Sequence, residues 1–333
     1  MKNLPEHIYN SLGNLNTDRN SNLWNEKTKG RAPHKVFLLL SILDGIEQGW
    51  ISDSIIYPSQ NLVDNFFQYW DNIMGEDRST SIALPYFYMK SESFWELVYK
   101  PGKNKFTNSP SWGALKDRVE FARINEDLFE AMNNRSMRQM IRGFLMETYF
   151  DDITAVKVGQ IGASNKRIYL QSENLRLIAA EPFIVDHSEM LKFRQVTKTI
   201  QERDRAFSNL VRNNFGHFCA VCRNRVITPE GKSLVDAAHI IPWSKYNNDD
   251  PRNGLSLCKS HHWMFDNFMI TVKDDYTLQL SKHLKAFPNV ITGANVKKGE
   301  KLYLPTNSDF LPSIDALKMH QQLFEETHRS WKL

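Results

Sequence analysis

The feature that most constrains this chain is a pair of short ligand motifs in its second half. They are Cys219-x-x-Cys222 and Cys258-x-x-His261, and together they contain all three cysteines of the 333 residues. An odd number of cysteines without a secretory signal argues against a disulfide framework and for a metal site. Two ligand pairs at this spacing form the four-coordinate shell that Zn²⁺ prefers. We therefore expect a structural zinc, the alternative being cysteines packed as small hydrophobic side chains.

Composition places the chain among globular proteins and leaves its partner open. Hydrophobic residues make up 41% and charged residues 24% of the sequence, and the net charge is +4. This mildly basic balance is compatible with nucleic acid but does not require it. No apolar run approaches the ~20 residues that span a bilayer, and residues 1–20 lack the apolar core of a signal peptide. We therefore expect a cytoplasmic protein.

A second group of polar residues lies between and just after the two ligand motifs: His239, Asn253, His262 and Asp266. An imidazole can deprotonate water near neutral pH, and a bound cation stabilises charge at a phosphate. His262 and Asp266 are four residues apart, so on a helix they share one face and can hold one ion. The neighbouring His261 points about a third of a turn away, toward the zinc. We therefore expect the two adjacent histidines to bind two different metals.

With these residues, the stretches AAHIIPWS, PRNGLSLC and HHWMFD resemble the HNH endonuclease family over about residues 200–275. The resemblance implies a ββα-metal site on one hairpin and one helix, in a branch where zinc knuckles clamp the active site. It makes His239 the general base and Asn253 the residue that fixes the loop orienting the base. It makes His262 a ligand of a catalytic divalent cation, Mg²⁺ or Mn²⁺.

One position departs from the family pattern. Many HNH sites have an acidic residue or histidine directly before the general base, where this chain has Ala238. Asp236 lies two residues earlier on the same strand face, and we expect it to join His262 and Asp266 at the catalytic ion. The acidic run at 247–250 is interpreted as a solvated loop rather than a metal site.

In the front half, RAPHKVFLLLSILDGI and LPYFYMKSESFWEL resemble the sulfur-binding domain of McrA-like type IV restriction endonucleases, over about residues 20–150. Such domains bind DNA whose backbone carries a phosphorothioate. The resemblance implies that His34 and Lys35, with Arg31, approach the modified phosphate, and that Pro85 and Tyr86 line an apolar cup for the sulfur. The alternatives are plain core packing for the last two and a solvated helix start for His34 and Lys35.

Hydrophobic patterning predicts an α+β protein with two domains. Helices are expected over 34–50, over 61–70, over 111–149 with Ser111 as N-cap, and over 201–216 with Gly216 as the stop. Strands around a turn are expected over 83–99, and a loop is expected at GQIGASNK, residues 159–166. We place the modification-reading domain at 1–155, a linker at 156–190 and the HNH domain at 191–333.

We therefore expect a metal-dependent restriction endonuclease. It would recognise a phosphorothioate in double-stranded DNA and hydrolyse the phosphodiester bonds of that DNA. Its cofactors would be structural Zn²⁺ and catalytic Mg²⁺ or Mn²⁺. One HNH site cuts one strand at a time, so double-strand cleavage would require a homodimer or two binding events. Two alternatives stay open: an HNH endonuclease that reads another modification or a plain sequence, and a non-catalytic zinc regulator that binds DNA.

Overall fold

The computed structural model describes residues 4–185, 200–282, 284 and 299–330. The chain divides into two compact units. Unit 1 comprises Met1–Lys166 and Ile227–Lys232, and unit 2 comprises Arg167–Val226 and Ser233–Leu333. No helix among the described residues is both long enough and apolar enough to cross a membrane.

Unit 1 surrounds one buried helix with further helices and a small sheet. Its helices are α1 Glu6–Gly13, α2 His34–Glu47, α3 Gln60–Met74, α4 Ala83–Tyr88, α5 Trp112–Arg118, α6 Glu126–Asn133, α7 Arg135–Tyr149 and the first half of α8 Asp152–Ala179. Its strands are β1 Ile55–Ile56, β2 Trp95–Tyr99 and β3 Val119–Ile124. They form an antiparallel sheet in the order β1-β3-β2.

The predicted helices over 34–50 and 61–70 are confirmed as α2 and α3. Every residue of α2 from Lys35 to Ile46 is buried, so this helix is the centre of the core. The Ser59 side chain caps α3, and the Ser111 side chain accepts from the Ala114 amide at the start of α5, as predicted.

Three sequence-based expectations in unit 1 are wrong. Residues 83–88 form α4 rather than a strand, and only 95–99 pair as β2. Within 111–149 the chain forms the strand β3, whose buried Val119, Ala122 and Ile124 face the core. The expected loop at 159–166 is part of the continuous helix α8. A Cβ at Gly162 would lie 2.9 Å from Arg142 Nη1, so this glycine permits close packing rather than a turn.

The expected linker at 156–190 has described residues only to 185. Its first part lies in α8, and residues 186–190 fall outside the described residues. Residues 227–232 are packed within unit 1: the Gly231 carbonyl accepts from Gln60 Nε2 at 2.9 Å, and Lys232 Nζ lies 3.1 Å from Asp71 Oδ2.

Unit 2 is built on a β-hairpin with a helix on each side. After the second half of α8 it contains α9 Ile200–Asn214, β4 Val235–His239, α10 Trp243–Tyr246, β5 Gly254–Cys258, α11 Lys259–Asp266, β6 Ile270–Val272, β7 Leu278–Leu280 and α12 Ile314–Ser330. Strands β4 and β5 are antiparallel, and their register places His239 opposite Gly254 and Val235 opposite Cys258.

Close packing of α9 on the hairpin requires glycine at one position. A Cβ at Gly254 would lie 2.4 Å from Val211 Cγ2 and 3.0 Å from Phe207 Cζ. The helix ends where expected, because Gly216 follows it with φ +57°. Helix α9 therefore lies against the strand end that carries His239.

Candidate metal centre and nuclease site

Cys219, Cys222, Cys258 and His261 form a compact cluster. The first two lie on the turn after α9, Cys258 ends β5, and His261 lies in the first turn of α11. Their ligand atoms all lie within 4.8 Å of one another. His261 Nδ1 is 3.4 Å from Cys219 Sγ and 3.1 Å from Cys258 Sγ.

The surrounding backbone holds this cluster in place. The Arg223 amide donates to the Cys219 carbonyl at 2.8 Å, and the Ala220 amide donates to the Ser256 carbonyl of β5 at 2.7 Å. Hydrogen bonds from the neighbouring thiols, Cys219 first, lower the pKa of Cys258. Burial lowers the pKa of His261, but the Cys219 and Cys258 sulfurs outweigh it and raise this pKa to about 10. Three sulfurs and one imidazole nitrogen at these distances suit a closed tetrahedral metal site.

A cavity of about 380 Å³ is lined by residues of β4, α11 and α12. His239 reaches it from the end of β4, His262 and Asp266 reach it from α11, and His320 reaches it from α12. Of the five residues predicted for the base and the catalytic ion, the structure brings His239, His262 and Asp266 to one cavity. The other two, Asn253 and Asp236, do not line it: Asn253 supports the loop after His239, and Asp236 lies beside His262.

The His239 ring is fixed on two sides. It stacks on Phe207 with ring centroids 4.0 Å apart and an interplanar angle of 2°. Its Nε2 lies 3.2 Å from Asp249 Oδ1. The imidazole is thus held both at its face and at one edge.

Asn253 is fully buried and closes the loop that follows His239. Its Oδ1 accepts from the Ile241 amide at 2.9 Å, and its Nδ2 donates to the Asn248 carbonyl at 2.9 Å. The Ile240 amide donates to the Asn253 carbonyl, also at 2.9 Å. One side chain therefore ties together both ends of the loop between β4 and β5.

His262 lies between two carboxylates. Its Nε2 is 3.3 Å from Asp266 Oδ2, and its Nδ1 is 3.7 Å from Asp236 Oδ2. The hydrogen bond to Asp236 raises the pKa of His262, and burial raises the pKa of Asp266. Asp236 also pairs with Lys259.

The two carboxylates approach opposite nitrogens of the His262 ring. In this arrangement, a cation bound at one nitrogen has only one of the two carboxylates beside it. Within the described ranges, the cysteine–histidine cluster is the only group of three or more Cys, His, Asp or Glu whose ligand atoms meet within 4.8 Å. The residues fit a divalent cation by chemical type, since carboxylate and imidazole suit such ions.

In unit 1, His34, Lys35 and Pro85 line a cavity of about 400 Å³, together with Trp24 and Tyr88. Burial lowers the pKa of His34 to about 4, so the ring is neutral near pH 7. The Lys35 ammonium is paired with Glu92, and both side chains are nearly buried. The wall of this cavity therefore offers aromatic and apolar surface more than free positive charge.

Two expected DNA-binding residues lie elsewhere. Tyr86 is fully buried, and its hydroxyl donates to the Ile56 carbonyl. Burial raises the pKa of this phenol. The tyrosine on the cavity is Tyr88, which is 48% exposed. Arg31 is not a lining residue, and its guanidinium lies 5.5 Å from the centre of the Tyr149 ring.

Two residues beside the proposed catalytic groups, Asp249 and His320, were not predicted from the sequence. The run at 247–250 was expected to be a solvated loop, and this is wrong, because Asn248, Asp249 and Asp250 are buried. His320 also lines the cavity, stacked on Phe265 with centroids 3.9 Å apart. The Asp-Asp-Pro sequence was the one signal of an ordered turn, whereas His320 lies on an ordinary amphipathic helix.

A family model described as HNH endonuclease matches residues 219–273. This segment is therefore similar to HNH endonuclease domains. The match spans the cysteine–histidine cluster, the β4–β5 hairpin and α11, which are the elements that carry the site.

Among solved structures, a "Modification dependent TagI restriction endonuclease" is similar at 20% sequence identity, with a TM-score of 0.28. The alignment covers 39% of this chain and 39% of that protein. No curated protein matches the chain.

Proposed function

We propose that this protein is a metal-dependent DNA endonuclease that hydrolyses phosphodiester bonds through its HNH domain. The observation that carries the proposal is the cavity that His239, His262 and Asp266 share, within the segment that matches the family. A general base and a cation-binding pair around one cavity are the groups that phosphodiester hydrolysis requires.

In the proposed reaction, His239 accepts the proton of the attacking water. His262, with Asp266 or Asp236, would hold a Mg²⁺ or Mn²⁺ ion, which supplies charge stabilisation at the phosphate and leaving oxygen. Asn253 fixes the loop that follows the base. The cysteine–histidine cluster would hold Zn²⁺ and join the end of β5 to the start of α11.

We further propose that unit 1 reads a phosphorothioate in the DNA backbone. The cavity of His34, Pro85, Trp24 and Tyr88 supports this, because sulfur is less well hydrated than oxygen and favours an apolar wall. Lys35 lies at the same cavity, although its charge is paired with Glu92. The restriction role, and a homodimer for double-strand cleavage, belong to this same proposal.

Plasmid nicking tests the endonuclease directly. The protein should convert supercoiled DNA to the open-circular form when Mg²⁺ or Mn²⁺ is present, and not when divalent cations are left out of the buffer. A zinc regulator that only binds DNA would shift the plasmid in a gel but never nick it.

The reader is tested by binding rather than cutting. Full-length His239→Ala protein, which should cleave far more slowly than wild-type protein, should bind a phosphorothioate duplex more tightly than the same unmodified duplex. Tyr88→Ser should reduce this preference, because it removes an exposed ring from the cavity wall. Tyr57→Ser is the matched control, since Tyr57 is 57% exposed and does not line the cavity. Equal affinity for both duplexes at several salt concentrations would refute the sulfur reader and leave the nuclease standing.

A further inference from the structure

Asp249 lies between the proposed general base and a half-buried arginine, Arg203. Its Oδ1 is 3.2 Å from His239 Nε2, and its Oδ2 is 3.0 Å from Arg203 Nε. The carboxylate side chain is 11% exposed, so water screens these contacts little. The proposed function gives His239 the role of base and Asn253 the role of closing the loop. It gives Asp249 no role.

Arg203 is itself held in position. Its guanidinium lies over the Trp243 ring, 3.6 Å from the ring centroid, and its side chain is 18% exposed. A guanidinium stacked on an indole has little freedom to turn. Arg203 also donates from Nη2 to Asp204 Oδ1 at 2.8 Å. Its positive charge therefore attracts one oxygen of Asp249 as an ion pair, while the other oxygen lies toward His239.

The contact determines which nitrogen of His239 can act as a base. An ionised carboxylate only accepts hydrogen bonds, so the neutral imidazole must carry its hydrogen on Nε2 to satisfy Asp249. The Nδ1 atom then keeps its lone pair, which is the form that can accept a proton from water. The Phe207 stack restricts tilting of the ring.

We infer that Asp249 is a positioning residue that holds His239 in the Nε2–H tautomer, with Arg203 as its anchor. The inference rests on the proposed nuclease function and adds to it. Asn253 ties the backbone of the loop, whereas Asp249 selects the tautomer and orientation of the ring.

The variant that tests this is Asp249→Asn. The amide can donate to Nε2 and thereby favour the opposite tautomer, so kcat for nicking should fall about 10²-fold or more, with little change in KM. Asp274→Asn is the matched control, because Asp274 is an exposed aspartate of the same unit. Its kcat should equal that of the wild-type protein.

Two further measurements separate this role from a structural one. In a His239→Ala background, Asp249→Asn should cause no additional loss, because the residue acts through the missing ring. Nitrogen-15 spectra of the imidazole groups should show His239 with its hydrogen on Nε2 in the wild-type protein, and a shift toward the Nδ1–H form in Asp249→Asn. This comparison reads the tautomer directly and does not depend on turnover.

Unchanged kcat in Asp249→Asn, or a further loss in the His239→Ala background, would overturn the inference while leaving the nuclease intact. A wild-type His239 with its hydrogen on Nδ1 would overturn it as well. Failure of the wild-type protein to cut any duplex would instead refute the proposed function, and the wild-type and Asp249→Asn spectra together would still report whether Asp249 sets the tautomer.

Discussion

The three histidines at the nuclease cavity are chemically identical side chains in three different environments. His320 is buried with its Nδ1 on Thr271 Oγ1, and burial lowers its pKa to about 3, so the ring stays neutral. His262 lies between two carboxylates, the setting of a cation ligand. His239 has one edge on Asp249 and one face on Phe207. Environment, more than residue type, distinguishes the proposed base from its neighbours.

At the residue scale, His34 gives a prediction on pH. Burial, and to a lesser degree Arg78, lowers its pKa from 6.5 to about 4, while Asp18 opposes this. The unfolded chain binds the proton near pH 6.5, whereas the folded chain binds it only near pH 4. The stabilisation is therefore complete above pH 6.5 and is lost as the pH falls toward 4, by about 3 kcal/mol.

Chemical unfolding at pH 7, 5 and 4 measures this effect. His34→Gln should lose less stability on acidification than the wild-type protein, because glutamine does not titrate. The exposed His7 offers the control His7→Gln, which should follow the wild-type curve. Identical pH dependence in His34→Gln and wild-type protein would show that His34 does not supply the difference.

At the element scale, the cysteine–histidine cluster links a strand and a helix that are both short. Helix α11 has only eight residues, and β4 and β5 have five each. A two-stranded hairpin is marginal in water. Cys258 and His261 lie where β5 passes into α11, so a metal there joins strand and helix directly.

Metal analysis should therefore find about one tightly bound zinc per chain. Cys258→Ala should remove it and unfold much of unit 2, since structural zinc contributes about 10 kcal/mol, comparable to the stability of a whole domain. Ser256→Ala is the matched control on the same strand. A wild-type protein that holds no zinc, or a Cys258→Ala protein with unchanged melting, would contradict this account.

The sequence correctly predicted those elements that depend only on residues close together in the chain. The apolar helix α2, the cap at Ser111 and the stop at Gly216 need only neighbouring residues. Strand β3 was missed because its identity depends on pairing with β1 and β2. Gly162 looked like a loop residue, and only the approach of Arg142 explains it.

The same distinction holds at the site. Ligand spacing alone predicted that Cys219, Cys222, Cys258 and His261 would meet. The sequence predicts a solvated loop at Asp249, since nothing near it in sequence indicates a partner. Its partner Arg203 belongs to α9. The resemblance implies that Tyr86 lines the cup beside Pro85, but helix geometry turns Tyr86 into the core and leaves Tyr88 exposed.

At the scale of the whole molecule, we propose that unit 1 recognises the DNA and that unit 2 cuts it. Each unit contains its own hydrophobic core and its own cavity. The net charge of +4 is small for a DNA-binding protein. We therefore expect affinity to depend on local contacts at the two cavities more than on a general positive surface.

The central claim is that His239 is the general base of a DNA endonuclease, and single-turnover nicking by full-length protein tests it most directly. With Mg²⁺ or Mn²⁺, His239→Ala should nick about 10²–10⁴-fold more slowly than wild-type protein, with DNA binding and thermal melting unchanged. His7→Ala, which removes an exposed imidazole, should nick at the wild-type rate. Nicking by His239→Ala at the wild-type rate would contradict the account.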